Sequence, residues 1–122
     1  MIDHISIQVR DVAASAAFYD AVLAPLGGSR QMDFGEVVAF GTHRPTFWLG
    51  PVTTPGEARE LHLAFVADSR ATVDKFHAAA VATGAEVMHA PRAWPEYHPG
   101  YYGAFVRDLD GNNIEAVCHT PE

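Results

Sequence analysis

One cysteine, Cys118, is all the chain has, which excludes an internal disulfide and, with no CxxC pair, a thiolate zinc centre. Any metal must therefore be held by nitrogen and oxygen. Basic residues are also scarce. Lys75 is the only lysine, and the formal net charge is -7, so the clustered cations that a phosphate backbone demands are missing and nucleic acid is excluded as a partner. No apolar run approaches the roughly 20 residues that cross a bilayer, so no membrane partner is expected. The opening MIDHISIQVRD places an acid where a secretory signal has a basic residue. These absences point to a cytoplasmic protein. With 122 residues, 48 % of them hydrophobic, the chain can bury a real core as a single domain spanning 1–122.

What the sequence does have is a repeat. DHISIQVRDVAASAAFYDAVLAPLGG from Asp3 and LHLAFVADSRATVDKFHAAAVATGAE from Leu61 read alike: an alternating strand with a histidine at its second residue, an Asp suited to capping, an alanine-rich helix, and a glycine to end it. His4 and His62 stand 58 residues apart, as do Phe18 and Phe76. Each helix is followed by hairpin-like strand pairs: EVVAFG with TFWLG, then YGAFVRD with NNIEAVC, the second pair joined through DLDGNN. Two βαβββ modules follow, roughly 1–52 and 58–122, with a linker at about 51–57. The fold class is α+β.

Strand alternation decides which side chains meet. Ile5, Ile7 and Val9 should pack on helices, leaving His4, Ser6 and Gln8 opposite. Leu61, Leu63 and Phe65 leave His62 opposite, and Ile114, Ala116 and Cys118 leave Glu115 opposite. A lone strand histidine is ordinarily a hydrogen-bonded structural residue. Two at equivalent points of a duplicated unit, with a carboxylate on the corresponding face, instead make the two-histidine, one-carboxylate set that leaves positions on a metal open to substrate.

On those residues, and on the closing YGAFVRDLDGNNIEAV, the whole chain resembles the vicinal-oxygen-chelate superfamily of glyoxalases, bleomycin-resistance proteins and extradiol dioxygenases. Leu109 stands where proline is common. The resemblance implies a cupped, partly open mixed sheet with helices outside, a homodimer, and one divalent metal (Fe, Mn, Zn, Ni or Co) on His4, His62 and Glu115. It also implies an enzyme, lyase- or dioxygenase-like, that chelates two neighbouring oxygens of a small substrate, aromatic ones included. Two alternatives stay open: a drug-sequestering protein of the bleomycin-resistance type, and a thiol transferase of the fosfomycin-resistance type, for which Ser6 and Arg92 are relevant.

Two departures narrow the reading. Phe47, Trp48 and Leu49 offer no carboxylate where glyoxalase I has a fourth ligand, so efficient glyoxalase I activity is not expected. Phe105 stands where extradiol dioxygenases have a tyrosine, and a phenyl ring donates no hydrogen bond.

The proline- and aromatic-rich stretch from Met88 to Gly103 reads as irregular, either a lid over an apolar substrate or a dimer contact. Candidate substrate contacts are Ser6, Gln8, Trp48, Arg92, Trp94, Tyr97, Tyr101 and Phe105. His98, and less strongly Tyr102, are candidate bases. His43 and His77 read as solvated, and His119 as a neighbour of the Glu115 face.

Overall fold

The computed structural model describes residues 1–121. The first module runs β1 (Ile5–Val9), α1 (Val12–Leu23), β2 (Ser29–Asp33), β3 (Val38–Gly41) and β4 (Phe47–Pro51); the second runs β5 (His62–Val66), α2 (Arg70–Ala82), β6 (Val87–Ala93), β7 (Tyr102–Arg107) and β8 (Asn113–Cys118). Each forms a mixed four-stranded sheet, in the orders β1-β4-β3-β2 and β5-β8-β7-β6. In both, the first strand of the module is an edge strand lying parallel to the last. The α+β expectation of two βαβββ modules holds. Among the described residues no helix is long and apolar enough to cross a membrane.

The helix starts keep the 58-residue register. Asp11 caps α1 by accepting from the Ala14 amide at 3.0 Å, and Ser69 caps α2 by accepting from the Thr72 amide at 3.2 Å. The second cap is thus Ser69, one residue beyond the expected Asp68. Gly27, at φ +79°, turns the chain out of a short 3-10 turn (Ala24–Leu26) after α1, a backbone state that side chains with a Cβ resist.

One apolar core spans both modules. Tyr19, Val22, Phe40 and Leu49 from the first half join Val73, Phe76, Val106 and Ile114 from the second, and Phe47 meets Phe65 edge to face at 5.3 Å. Fully burying a ring such as Phe76 stabilises by about 1.5–3 kcal/mol. Ile7 and Val9 are buried as expected, but Ile5, at the start of β1, and Leu61, just before β5, are 37 % and 41 % exposed.

The β7–β8 turn latches one module to the other. Asp108 accepts from the amides of Asp110 and Asn112 through Oδ1, and from the Tyr19 hydroxyl on α1 through Oδ2 at 2.6 Å. Asp110 in turn accepts from the Arg10 amide and Nε at 3.0 and 3.1 Å. Gly111, at φ +84°, allows the tight return.

The Met88–Gly103 stretch is less irregular than its prolines suggest. Most of its first half is β6, an edge strand whose pairing with β7 slips on both sides of His89. An edge strand with such irregularities tolerates Pro91, because the missing N–H need not pair. Only residues 94–101 form a loop, closed by the Trp94 amide donating to the Tyr101 carbonyl at 2.8 Å.

Candidate metal centre

β8 alternates between the core and the opposite face of its sheet. Glu115 lies on that opposite face, paired with Phe105 of β7 and with Ala64 of β5. It is 1 % exposed, so its carboxylate needs partners. Two are present. The Tyr101 hydroxyl donates to Oε2, and the His62 ring sets Nε2 3.0 Å from Oε1. His62 Nδ1 lies 3.1 Å from the Asn113 carbonyl. With Nδ1 held against that carbonyl, the ring is fixed so that Nε2 is aimed at Glu115, the arrangement by which metal-binding histidines are oriented. Two donors bound at about 2.1 Å to one ion stand roughly 3.0–3.4 Å apart as the angle at the ion runs from square to tetrahedral. The His62–Glu115 pair therefore fits a nitrogen-and-oxygen metal centre in both chemistry and spacing.

His4 is not with them. Its Nδ1 meets Asp3 Oδ1 at 2.7 Å, its side chain is exposed, and among the described residues no three His, Cys, Asp or Glu side chains are grouped to hold an ion. Within one chain, two of the three expected ligands come together and the third stands apart. The shared core explains this, since the modules meet through their buried sides while His4 and His62 sit at the exposed starts of separate edge strands.

Around Glu115 lies an aromatic bed. His62 stacks on Phe105 at 5.9 Å, and Phe105 meets Trp94 and His89 edge to face. Trp94 and Phe105, expected as substrate contacts, are 6 % and 5 % exposed, with the Trp94 Nε1–H donating to the Gly103 carbonyl. Both are buried in this cluster of rings. Arg92 lies over the Trp94 ring and pairs with Glu96, while Tyr97 stacks on Trp94 and faces outward.

Tyr102, expected as a weaker candidate base, lies elsewhere. As the first residue of β7 it takes the opposite face from Phe105 and donates to Asp74 on α2 at 2.6 Å, away from Glu115. His98 contacts His119 at 2.9 Å and the Pro99 carbonyl at 2.7 Å, and its ring meets that of Tyr101, so it reaches Glu115 only through Tyr101.

Tyr101, expected as a substrate contact, is the residue whose hydroxyl the structure sets on Glu115. Burial, and then the Glu115 carboxylate beside it, push its phenol above the ordinary tyrosine range. Continuing the alternation back from Phe105 through Gly103 places it beside Glu115.

In the first module, Ser6 and Gln8 lie on the exposed side of β1, and Ser6 pairs with the half-buried Trp48. The side-chain carbonyl of Gln8 accepts from the Thr53 and Thr54 amides at 2.9 and 3.4 Å, so it anchors the linker. Both residues line a cleft of about 450 Å³ beneath the linker, with Arg10, Arg59 and Leu61.

A doubled βαβββ fold with a histidine–carboxylate pair on the open face of one sheet defines a class before any comparison. The model of the Glyoxalase/Bleomycin resistance protein/Dioxygenase superfamily matches residues 1–116, and the chain belongs to that superfamily. A glyoxalase/bleomycin resistance protein from Albidiferax ferrireducens is similar at 29 % identity and a TM-score of 0.81, covering 95 % of this chain and 96 % of that one. Lactoylglutathione lyase from Agrobacterium tumefaciens is similar at 25 % identity and 0.72, covering 97 % and 92 %. The fosfomycin resistance protein FosX from Mesorhizobium loti, at 16 % identity and 0.70 over 97 % and 91 %, shares the fold. No curated protein matches the sequence significantly.

Proposed function

We propose that this protein is a divalent-metal enzyme acting on a small substrate with two neighbouring oxygens, its metal held by His62 and Glu115 of one chain and His4 of a second copy. The observation that carries the reading is the His62–Glu115 pair: a buried carboxylate 3.0 Å from an imidazole nitrogen whose other nitrogen faces a backbone carbonyl. Such a pair completes no metal site alone, and His4 is exposed where a second chain can reach it. Membership of a superfamily that includes metal-dependent enzymes supports the assignment.

When bound, a metal with open positions would supply Lewis-acid polarisation of the substrate oxygens. The chain's own residues do the rest. His62 and Glu115 would hold the ion, the buried Phe105–Trp94 pair backs the His62 ring with apolar surface, and the exposed Tyr97 and Arg92 offer an aromatic and cationic rim to the substrate. Neither the metal nor the reacting group is chosen by these residues, since nitrogen and oxygen donors suit Fe, Mn, Co, Ni or Zn.

A second reading, a small-molecule-sequestering protein without metal, draws on the separation of His4 from the other two ligands. Elemental analysis of protein purified without an affinity tag separates the two. About one transition metal per chain, with affinity reduced more than about a hundredfold in Glu115→Gln while the fold survives, is expected for the enzyme. The amide keeps the shape of the carboxylate and removes its charge. Absence of metal after reconstitution, or unchanged affinity in Glu115→Gln, overturns the metal reading and leaves the sequestering one.

A further inference from the structure

We propose that Tyr101 is a positioning residue that holds Oε2 of Glu115 and leaves Oε1 as the single oxygen presented, beside His62 Nε2, to the metal; this rests on the metal reading above. The loop after β6 is then a brace for a ligand and not a lid.

Three independent features converge on this. The Tyr101 hydroxyl donates to Oε2 while Oε1 faces His62, so the two oxygens of one buried carboxylate have different partners. The Tyr101 ring is boxed edge to face by Tyr97 at 4.9 Å, His98 at 5.3 Å and His119 at 5.3 Å. His98 and His119 are tied to each other at 2.9 Å, and Tyr97 is backed by Trp94. A phenol held on three sides cannot swing away cheaply, because moving off any of these rings forfeits dispersion and edge-to-face attraction. Finally, the sequence clears space for the interaction. A Cβ at Gly103 would stand 3.1 Å from Oε2 of Glu115 and 3.3 Å from Cε1 of Tyr101, and Gly103 has an ordinary negative-φ strand conformation. Glycine is therefore needed there for room and not for backbone freedom.

The assignment also gives a role to groups the metal site does not otherwise use. His98 and His119 act through the ring they enclose, and Trp94 acts through Tyr97 and through its own indole bond to the Gly103 carbonyl.

Tyr101→Phe removes the hydroxyl and keeps the ring in its box, and Gly103→Ala presses on the same pair without touching the hydroxyl. Both are titrated with Co(II) alone, reading the dissociation constant by chelator competition and the ligand-field absorption of the bound ion, with thermal melts as a control on folding. Tyr101→Phe is expected to weaken Co(II) binding about 10- to 100-fold, as loss of a hydrogen bond to a ligand does elsewhere, and to alter the absorption of what binds. Gly103→Ala is expected to change both in the same direction. Wild-type affinity and spectrum in Tyr101→Phe, or tighter binding as the freed carboxylate grips with both oxygens, overturns the proposal while leaving the metal reading intact. Failure of the unsubstituted protein to bind Co(II) overturns both.

Discussion

Trp48 and Glu115 occupy equivalent positions in the two sheets. Trp48 pairs with Ser6 across the parallel β1–β4 ladder, and Glu115 pairs with Ala64, 58 residues after Ser6, across β5–β8. The duplication thus carries an indole in one copy where it carries a carboxylate in the other. A site assembled from both kinds of sheet would have two carboxylates if the copies matched; the proposed two-chain site would have a single carboxylate and an aromatic wall.

Trp48→Glu restores the missing symmetry. In the proposed two-chain site it supplies a fourth ligand, so metal affinity should rise at least about tenfold, as one further ion–carboxylate contact implies. The unsubstituted protein should turn over the hemithioacetal of methylglyoxal and glutathione with kcat/KM below the roughly 10⁴ M⁻¹s⁻¹ floor of ordinary enzymes, and the variant should exceed it. The cost is part of a half-buried indole, about 1–3 kcal/mol of stability. Chelator competition and thioester absorbance measure the gains; no tightening would place Trp48 away from the ion.

Tyr19 should set an alkaline limit on stability. Its phenol is buried and donates to Asp108, and burial first, then the Asp108 charge, raise its pKa above the ordinary value. The unfolded phenol ionises near pH 10. Above that pH the folded state binds more protons than the unfolded one, so the stabilisation is complete below about pH 10 and is lost as pH rises further. Tyr19→Phe should cost about 1.5–3 kcal/mol at pH 7, as a hydrogen bond to a charged group does, and should flatten the alkaline decline. Urea titrations from pH 7 to 11, with chelator present, test both; an equally steep decline in the variant would assign it to other groups.

The parts of this architecture that sequence exposes are those written twice. The histidine and the helix phenylalanine recur at one spacing, and so the two modules are legible in the sequence. β6 escapes because Pro91 and the neighbouring aromatics mimic a loop, whereas an edge strand with slipped pairing accepts both. Which of the adjacent Tyr101 and Tyr102 meets Glu115 is hidden in the sequence, because a one-residue error in a strand start moves a side chain to the other face. The separation of His4 from Glu115 cannot be read from alternation, which assigns a face within a sheet but says nothing of how two sheets meet. Packing of the shared core decides that, where Phe47 joins Phe65.

The strongest test of the two-chain site is complementation. If His4 serves the partner's His62 and Glu115, then His4→Ala and Glu115→Gln chains are each defective alone, but a mixed dimer regains one complete site: His4 from the Glu115→Gln chain beside the intact pair of the His4→Ala chain. The other site in that dimer loses both groups. A twofold-symmetric dimer that exchanges subunits at random is half mixed species, so an equimolar mixture should bind about a quarter of a metal per chain, against one for the unsubstituted protein and almost none for either variant alone. Were all three ligands to come from one chain, mixing would restore nothing, because every chain would still lack one of its own. Native mass spectrometry before and after subunit exchange reads the metal count for each species directly. Metal confined to the mixed dimer confirms the arrangement. Metal on neither the mixed nor the parent dimers would return the third ligand to the same chain and require a movement of His4 that the shared core opposes.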